Sequence, residues 1–162
     1  MIGLLGFKEG GGVMKLSTKG RYGLRCMVDL ALNATEQHVP LGTIAERQGL
    51  SILYLEQVFS ALRKAGLVKS IKGAGGGYIL ARPASEITAG DVLRSLEGEL
   101  TLISGRAAAA NEEENVIERC LKEQLWMKID EAVLSLLDSA TLESLAEEAR
   151  KAEAANILVY YI

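Results

Sequence analysis

The sequence predicts a mainly α-helical fold that carries one small β-hairpin. In the first half of the chain, apolar residues recur at helical spacing in three segments. The third segment is followed by two short β-prone segments on either side of a glycine-rich tip. In the second half, apolar residues at helical spacing continue over about Glu113–Leu137. Three helices followed by a hairpin form a winged helix-turn-helix, and a long amphipathic helix beyond it is typical of a dimerisation element.

The predicted fold begins inside the chain. Met1–Val13 contains one lysine and too short an apolar stretch for a signal peptide. The KEGGG segment at residues 8–12 is what a purine-rich ribosome-binding site encodes when it is translated. We therefore expect residues 1–13 to be a leader or a mis-assigned start, with Met14 as the native first residue. Peptides from before Met14 in a mass spectrum of the native protein would contradict this hypothesis.

Two helices are predicted before the helix-turn-helix turn. The first covers about Lys19–Asn33 and the second about Leu41–Gln48, with Gly49 supplying the turn. The only histidine, His38, falls in the loop between these helices, where we expect it to be exposed. A lone histidine cannot build a metal site. The residues at core spacing in the first helix are Leu24, Met27, Val28 and Ala31.

The third helix is predicted to begin at Ser51, whose hydroxyl can accept a hydrogen bond from a backbone N–H of the first turn. Gly66 ends this helix. Strands are then predicted at Leu67–Ile71 and Tyr78–Ala81, and the glycines between them permit positive φ and close approach to another molecule. The inward stripe of the helix consists of Leu55, Val58, Phe59 and Leu62, and the tip contains Gly73, Gly75, Gly76 and Gly77.

A long helix dominates the second half of the chain. It follows a short helix at Thr88–Leu96, which Gly98 ends, and a linker or frayed helix start at Ser104–Asn115. The long helix carries two apolar stripes, of which one can pack on the chain's own core while the other requires a partner. Homodimerisation is the simplest source of that partner, and burial of both stripes within one chain is the alternative. One stripe consists of Leu121, Leu125, Ile129, Ala132 and Leu136. The other consists of Val116, Cys120, Met127 and Leu134, with Trp126 and Leu137 at its edge. The candidate dimerisation residues come from this second stripe and are Val116, Trp126, Met127 and Leu134.

The chain ends in a predicted helix at Thr141–Ala154 and a β-prone tail at Asn156–Ile162. With these elements, three regions are expected. Residues 1–13 form the leader or mis-assigned start. Residues 14–84 form the winged helix-turn-helix DNA-binding domain, and residues 85–162 form a helical dimerisation and regulatory region with the β-prone tail.

Charge is distributed unevenly between the last two regions. Residues 14–84 contain 10 bases and 4 acids, a net charge of +6, whereas residues 85–162 contain 7 bases and 16 acids, a net charge of −9. A basic domain that faces DNA and a distal region that phosphates repel would give this pattern, and accidental asymmetry is the alternative. The two cysteines, Cys26 and Cys120, are too few for a disulfide framework and predict a reducing cytoplasm. Cys26 lies among apolar residues and is expected to be a buried small hydrophobe.

The outward face of the third helix offers groups that can recognise bases. Gln57 can make a bidentate contact to adenine, Glu56 can accept from cytosine N4, and Lys64 suits a phosphate. A solvated polar face is the alternative. A dimer would bind two half-sites about one helical turn apart, or a multiple of it, which predicts a palindromic operator. The candidate DNA-contacting residues are Lys15, Ser17, Thr18, Lys19, Arg21, Ser51, Leu53, Tyr54, Glu56, Gln57, Ser60, Lys64, Lys69, Lys72, Gly75 and Gly76.

The glycine-rich tip has a second interpretation as a phosphate-binding loop of a nucleotide-binding enzyme. The GAGGGY segment at residues 73–78 lacks the last glycine of a G-x-G-x-x-G motif, and no lysine–serine or lysine–threonine pair follows it. It also precedes a strand, whereas a phosphate-binding loop opens a helix. With one histidine and no visible catalytic set, the sequence does not favour an enzyme.

Three segments of the chain resemble one family of bacterial regulators. MKLSTKGRYGLRCMVDLAL, LGTIAERQGLSILYLEQVFSALRKAGLVKSIKGAGGGYIL and ITAGDVLRSLEG, in this order, are similar to the Rrf-type family, which includes iron–sulfur regulators of the IscR type and cysteine-metabolism repressors of the CymR type. The resemblance covers Met14 to about Gly98 closely and, more loosely, the chain from Leu125 and Trp126 through the final helix. It implies a winged-helix dimer whose recognition residues are Glu56 and Gln57, with the basic residue of the wing at Lys72.

The chain departs from the family pattern where the cluster-binding members carry their ligands. Those members place three cysteines and a nearby fourth ligand between the short helix and the long helix, whereas Leu100–Arg119 contains no cysteine. A [2Fe–2S] cluster takes four protein ligands. Cys120 supplies one, a second copy of it would supply another, and Cys26 belongs to the DNA-binding domain. The resemblance therefore indicates the clusterless cysteine-metabolism repressors, whose aromatic ending the terminal VYYI also resembles, and no cofactor is expected.

That subgroup implies a cytoplasmic repressor of cysteine and sulfur metabolism genes that acts with cysteine synthase as a co-repressor. An iron–sulfur or thiol-redox-sensing regulator of the same fold is the alternative. Cys120 is the candidate thiol sensor, because Arg119 and Lys122 beside it would stabilise a thiolate. Its position on an apolar stripe favours a buried packing residue instead.

Overall fold

The computed structural model describes residues 16–33, 37–100 and 115–159, with side chains as far as residue 156. The predictions for residues 1–13, for Lys15, for most of the linker at 104–115 and for residues 160–162 lie outside this part. Helices and one two-stranded sheet make up the described chain, which confirms the predicted fold class. The elements are α1 (Thr18–Asn33), α2 (Leu41–Gln48), α3 (Ile52–Lys64), β1 (Val68–Ile71), β2 (Gly77–Leu80), a 3-10 turn (Ala84–Glu86), α4 (Ala89–Glu97), α5 (Val116–Leu121), a π-helical turn (Lys122–Trp126), α6 (Met127–Ser139) and α7 (Leu142–Val159).

No helix in these described ranges is long and apolar enough to cross a membrane.

The helices α1, α2 and α3 share one apolar core. Ser51 caps α3 as predicted, since its Oγ accepts a hydrogen bond from the Tyr54 backbone N–H at 3.2 Å. The turn between α2 and α3 is made by Gly49, whose φ of 64° is left-handed. Cys26 is also fully buried, as expected for a small hydrophobe. The four residues predicted to face inward from α3 each have 0% exposure: Leu55, Val58, Phe59 and Leu62.

The hairpin is held on one side by the segment that precedes α2. Strands β1 and β2 pair in antiparallel register, with Ile71 opposite Gly77. The Val39 N–H donates to the Tyr78 carbonyl at 2.9 Å, and the Tyr78 N–H donates to the Val39 carbonyl at 2.8 Å. A Cβ on Gly77 would lie 2.4 Å from the Val39 oxygen, so only glycine fits. These contacts join the wing to the loop between α1 and α2, which the sequence did not predict.

Helix α4 packs closely on α1. Thr88 caps α4 in a capping box with Asp91, which explains why the helix begins where the sequence predicted. A Cβ added to Gly20 or Gly23 would lie 2.2 Å and 2.1 Å, respectively, from side-chain atoms of α4. The two helices therefore approach each other at positions where α1 has no side chains.

The long helix is continuous but not regular, in contrast to the uniform helix that the sequence predicts. The π-helical turn joins α5 to α6 without a break. Such a turn adds a residue to the helix, which rotates the faces beyond it by about 100°. The two stripes predicted from uniform spacing therefore do not remain separate. Half-buried and exposed residues come from both stripes: Trp126, Ile129, Leu134 and Leu137 are half-buried, whereas Val116, Leu121, Leu125, Met127 and Leu136 are exposed.

Helix α7 returns to α1 and closes the core. Leu142 is fully buried in the same cluster as Met27, and its N–H donates to the Ile87 carbonyl at 2.8 Å. The packing thus crosses the expected division between residues 84 and 85. The prediction of a β-prone tail from Asn156 is wrong as far as Val159, because α7 continues through it. Strong helix formers, chiefly alanine and glutamate, precede the tail and propagate the helix into it.

Candidate DNA-binding surface

The outward face of α3 forms a concave surface with the first turn of α1. Glu56, Gln57 and Lys64 are exposed, as is Leu53, and Ser60 is half-buried. The concavity has a volume of about 510 Å³ and is lined by Lys19, Leu53, Glu56, Gln57, Ser60, Ala61 and Lys64. The structure therefore brings a lysine of α1 beside five of the α3 residues that the sequence proposed as DNA contacts.

This concave surface has the chemistry of a nucleic-acid contact. Its two lysines are ammonium groups that suit phosphates, and the Gln57 amide can pair with the N6 and N7 atoms of adenine. The Glu56 carboxylate can accept from cytosine N4. Base-recognising groups and phosphate-binding groups thus occur together on one helical face.

The start of α1 is fixed by a carboxylate from α4. The Glu97 Oε1 accepts hydrogen bonds from the Ser17 N–H at 3.1 Å and from the Gly20 N–H at 3.0 Å, and also from the Ser17 hydroxyl. A carboxylate is favoured at a helix N-terminus, where backbone N–H groups are unpaired. The Ser17 hydroxyl is therefore engaged within the protein, while Thr18, Lys19 and Arg21 are exposed.

Among the α3 residues proposed as DNA contacts, Tyr54 packs against α1. It is half-buried, its ring meets the Tyr22 ring edge-to-face at 6.3 Å, and its hydroxyl is buried without a hydrogen-bond partner. Burial raises the pKa of this hydroxyl, and the neighbouring Tyr22 adds to the shift. The Tyr54 side chain turns towards α1 and does not line the concave surface, and its contact to DNA stays a prediction.

An ion pair between a buried carboxylate of α1 and an arginine of α2 holds the two helices together. The Asp29 carboxylate, which is 5% exposed, accepts from Arg47 Nε at 3.0 Å and from Gln48 Nε2 at 2.6 Å. The hydrogen bond to this carboxylate raises the pKa of the Arg47 guanidinium. This pair was not predicted from the sequence. The signal was present, because Asp29 lies three residues after the buried Cys26 and therefore on the inward face of α1.

The wing presents its two lysines to solvent. Lys69 and Lys72 are exposed, as is Gly75 at the tip, and Gly76 is half-buried. His38 is also half-buried, which corrects the expectation that it is exposed, and its Nε2 atom makes a hydrogen bond with the Gly75 carbonyl oxygen. The loop before α2 therefore contacts the wing at its tip as well as along its strand.

The two cysteines have different environments. Cys26 is 0% exposed, and burial raises the pKa of its thiol to about 11. Cys120 is exposed, so the expectation that it packs as a buried residue is not met within this chain. In the described part of the chain, no three His, Cys, Asp or Glu side chains are grouped so that they could hold a metal ion.

A family model matches most of the chain. Residues 16–148 match the Rrf2 family, described as iron-dependent transcriptional regulators. The matched range begins two residues before α1 and extends into α7.

Relatives of this chain are transcriptional regulators, not enzymes. The regulator CymR of Bacillus subtilis is 48% identical over 133 residues, which cover 82% of this chain and 90% of that protein. The regulator IscR of Photorhabdus laumondii is 42% identical over 134 residues, which cover 82% of this chain and 79% of that protein.

Solved structures give the same two kinds of relative. The structure of CymR, the global cysteine regulator of B. subtilis, has a TM-score of 0.71 at 46% identity, covering 84% of this chain and 98% of that one. The structure of T. potens IscR has a TM-score of 0.69 at 44% identity, covering 86% of this chain and 90% of that one.

Proposed function

This chain belongs to the Rrf2 family of DNA-binding transcriptional regulators, and we propose that it is a homodimeric repressor of cysteine and sulfur metabolism genes that binds a palindromic operator in the cytoplasm. The observation that supports operator binding most directly is the concave surface of α3, where Gln57 and Glu56 lie with Lys19 and Lys64. Exposed lysines on the wing extend the positive charge beyond that helix.

The exposed apolar residues of the long helix support a homodimer. Val116 is 70% exposed, Leu136 is 67% exposed and Leu125 is 43% exposed. A helix with large apolar side chains facing water loses the hydrophobic stabilisation that a partner would supply. A second copy of the same helix is the simplest partner, because a two-fold interface uses the same surface twice. Of the four candidate dimerisation residues, Val116 and Met127 are exposed, and Trp126 and Leu134 are half-buried.

The assignment to cysteine metabolism is supported by the shortage of cysteine side chains that could hold an iron–sulfur cluster. The family description names iron, and an iron–sulfur cluster held by the protein takes four ligands. This chain has two cysteines, of which Cys26 lies in the apolar core and only Cys120 is exposed. The segment Leu100–Arg119 contains none. These residues do not fit a cluster, and the clusterless CymR type is therefore the better match.

In a regulator that holds no cluster, a partner protein supplies the signal that controls DNA binding. We propose cysteine synthase as a co-repressor, on the resemblance to the cysteine-metabolism repressors. The region from residue 85 onward has a net charge of −9, which phosphates repel, and we propose that this region supplies the surface for such a partner.

Capture of promoter fragments from the native genome tests this proposal. The full chain should retain fragments upstream of cysteine and sulfur metabolism genes, and added cysteine synthase should increase their retention. Retention of fragments upstream of iron–sulfur assembly genes, or no effect of the synthase, would contradict the assignment. Lys72→Ala removes one lysine from each chain of the dimer and should therefore weaken binding and lower the salt dependence by about two counterions. The matched control, Lys128→Ala, removes an exposed lysine from α6 and should change neither.

The exposure of Cys120 favours a second candidate, a thiol-redox-sensing regulator of the same fold. The thiol is accessible, and Arg119 next to it is also exposed. Exposed thiols are more readily oxidised than buried ones. If this candidate is right, peroxide should change the operator affinity of the wild type, and Cys120→Ser should abolish the response. The buried Cys26→Ser variant serves as the control.

A further inference from the structure

We propose that Leu53 recognises the 5-methyl group of a thymine in the major groove, and so helps to set the sequence of the operator. This inference rests on the proposed binding of α3 to an operator and names one base that the site selects. Leu53 is 75% exposed, the highest value of any large hydrophobic side chain in the described residues. Single exposed leucines are common on protein surfaces, so exposure alone decides nothing.

The surroundings of Leu53 distinguish it from an ordinary surface leucine. Its side chain lines the concave surface of α3 together with Gln57 and with lysines from two helices. An apolar patch for a protein partner or an apolar small molecule would not be expected between ammonium groups. A polyanion that also displays apolar groups fits both features. Duplex DNA is such a ligand, because phosphates line the edges of a groove whose floor carries thymine methyl groups.

The position of Leu53 along α3 also fits a base contact. Ile52 is the first residue of α3, so Leu53 lies in its first turn. The N-terminal residues of a recognition helix contact base edges, whereas later residues approach the backbone. Leu53, Gln57 and Lys64 lie on one stripe because their spacings of four and seven residues keep them on the same face. The order along this stripe is apolar, amide and ammonium.

The same geometry limits where the thymine lies. Four residues of an α-helix rise about 6 Å, and successive base pairs are separated by about 3.4 Å, so the bases contacted by Leu53 and Gln57 are within about two base pairs of each other. The C5-methyl of thymine is the one apolar group that a base pair displays in the major groove. Because the leucine side chain has no polar atom, it can distinguish thymine from cytosine or from uracil only through contact with this methyl group.

A neighbouring residue provides an internal comparison. Ile52 is 51% exposed in the same turn of α3, but it does not line the concave surface, and its Cδ1 atom lies near Gly42 of α2. Two large, exposed apolar side chains are therefore adjacent in sequence and differ in whether they line the concave surface. Both alanine variants remove exposed apolar surface from the first turn of α3.

Uracil substitution in the operator tests the proposal. In the promoter fragment that the full chain retains, each thymine of a half-site is replaced in turn by uracil, which removes only the methyl group. Burial of one methyl group predicts about a fourfold loss of affinity at one position of a half-site, and about fifteenfold when the symmetric position is changed as well. Leu53→Ala changes both chains of the dimer, so it should bind the unmodified fragment about fifteenfold more weakly. It should also be insensitive to uracil at that position. Gln57→Ala and Ile52→Ala should keep the sensitivity of the wild type.

The outcomes separate this inference from the proposed function. Specific binding with no uracil-sensitive position would overturn the role of Leu53 and leave the repressor proposal standing, as would a sensitivity that Leu53→Ala retains. Absence of specific binding by the wild type to any genomic fragment would overturn both. Since Leu53 is exposed, Leu53→Ala should unfold at the same urea concentration as the wild type, and a lower midpoint would show that its binding defect is structural.

Discussion

The apolar faces of two regions, the helices α1 to α3 and the helices α5 and α6, are covered to different extents. In α1 to α3, the inward residues meet other inward residues of the same chain, and Leu55, Val58, Phe59 and Leu62 are all 0% exposed. In α5 and α6, many apolar side chains remain in contact with water, and Leu136 is 67% exposed. The first region is covered by other residues of the described chain, whereas the described residues leave large apolar side chains of the second exposed. Helical spacing therefore identifies an apolar face but does not say which molecule covers it.

The largest expected effect comes from the closed core. Phe59→Ala should lower the free energy of unfolding by about 3–5 kcal/mol, because it leaves a cavity under α3 where the ring packs on Tyr78 at 4.8 Å. The shift of the urea midpoint at constant protein concentration measures it. Leu53→Ala on the same helix is the control and should change the stability by less than about 0.5 kcal/mol. Equal effects of the two variants would mean that α3 is not packed as described.

The next effect concerns the ion pair that closes the helix-turn-helix. Asp29→Ala should cost about 2 kcal/mol, less than for a fully buried pair, because the Arg47 side chain is 35% exposed and can be partly hydrated. Urea unfolding at neutral pH measures the loss. A change no larger than that of an exposed pair would contradict the proposed role of Asp29 in holding α2 on α1.

A third variant tests the exposed apolar face of α5 and α6. Leu136→Glu should raise the dimer dissociation constant about tenfold or more without changing the helical content, since it places a charge on the exposed apolar face. Sedimentation velocity over a range of concentrations measures the constant. Ser135→Glu adds the same charge at the neighbouring exposed position and should have a much smaller effect. If the two variants dissociate equally, another surface forms the dimer.

The smallest effect concerns the link between α4 and α6. Asp138 accepts from Arg94 at 2.7 Å, and this hydrogen bond holds the pKa of the carboxyl below its ordinary value of 3.8. Because the pKa is lowered in the folded state, the stabilisation is present above about pH 4 and is lost as the pH falls through the folded-state pKa. Both side chains are more than a third exposed, so the pair contributes less than about 1 kcal/mol.

Asp138→Asn should accordingly be slightly less stable than the wild type at pH 7 and equally stable once the carboxyl is protonated. Urea midpoints at neutral and acidic pH give the comparison. A difference between wild type and variant that is independent of pH would mean that the carboxylate charge is not what stabilises this contact.

Features that depend on neighbouring residues were predictable from the sequence. The Ser51 cap, the Thr88 helix start and the inward stripe of α3 each follow from side chains within one or two turns of each other. The outward residues of α3 followed from the same spacing. Their convergence with Lys19 did not, since it depends on how α1 packs on α3.

Features that depend on distant residues were not predictable. Glu97 reaches the start of α1 from 77 residues away, and His38 reaches the wing tip from 37 residues away. No local pattern marks either side chain for its partner. The π-helical turn was missed for another reason: apolar spacing was projected with a constant 100° per residue, and one added residue breaks that projection for everything after it.

We propose that two chains, joined through the exposed face of α5 and α6, place two α3 helices on one operator. The most direct test is the stoichiometry of the complex on a palindromic fragment and on an isolated half-site, measured by sedimentation equilibrium. We predict two chains per palindrome, with an affinity at least 100-fold higher than for the half-site, and loss of this difference in Leu136→Glu. Binding of single chains to both fragments with equal affinity would contradict the account.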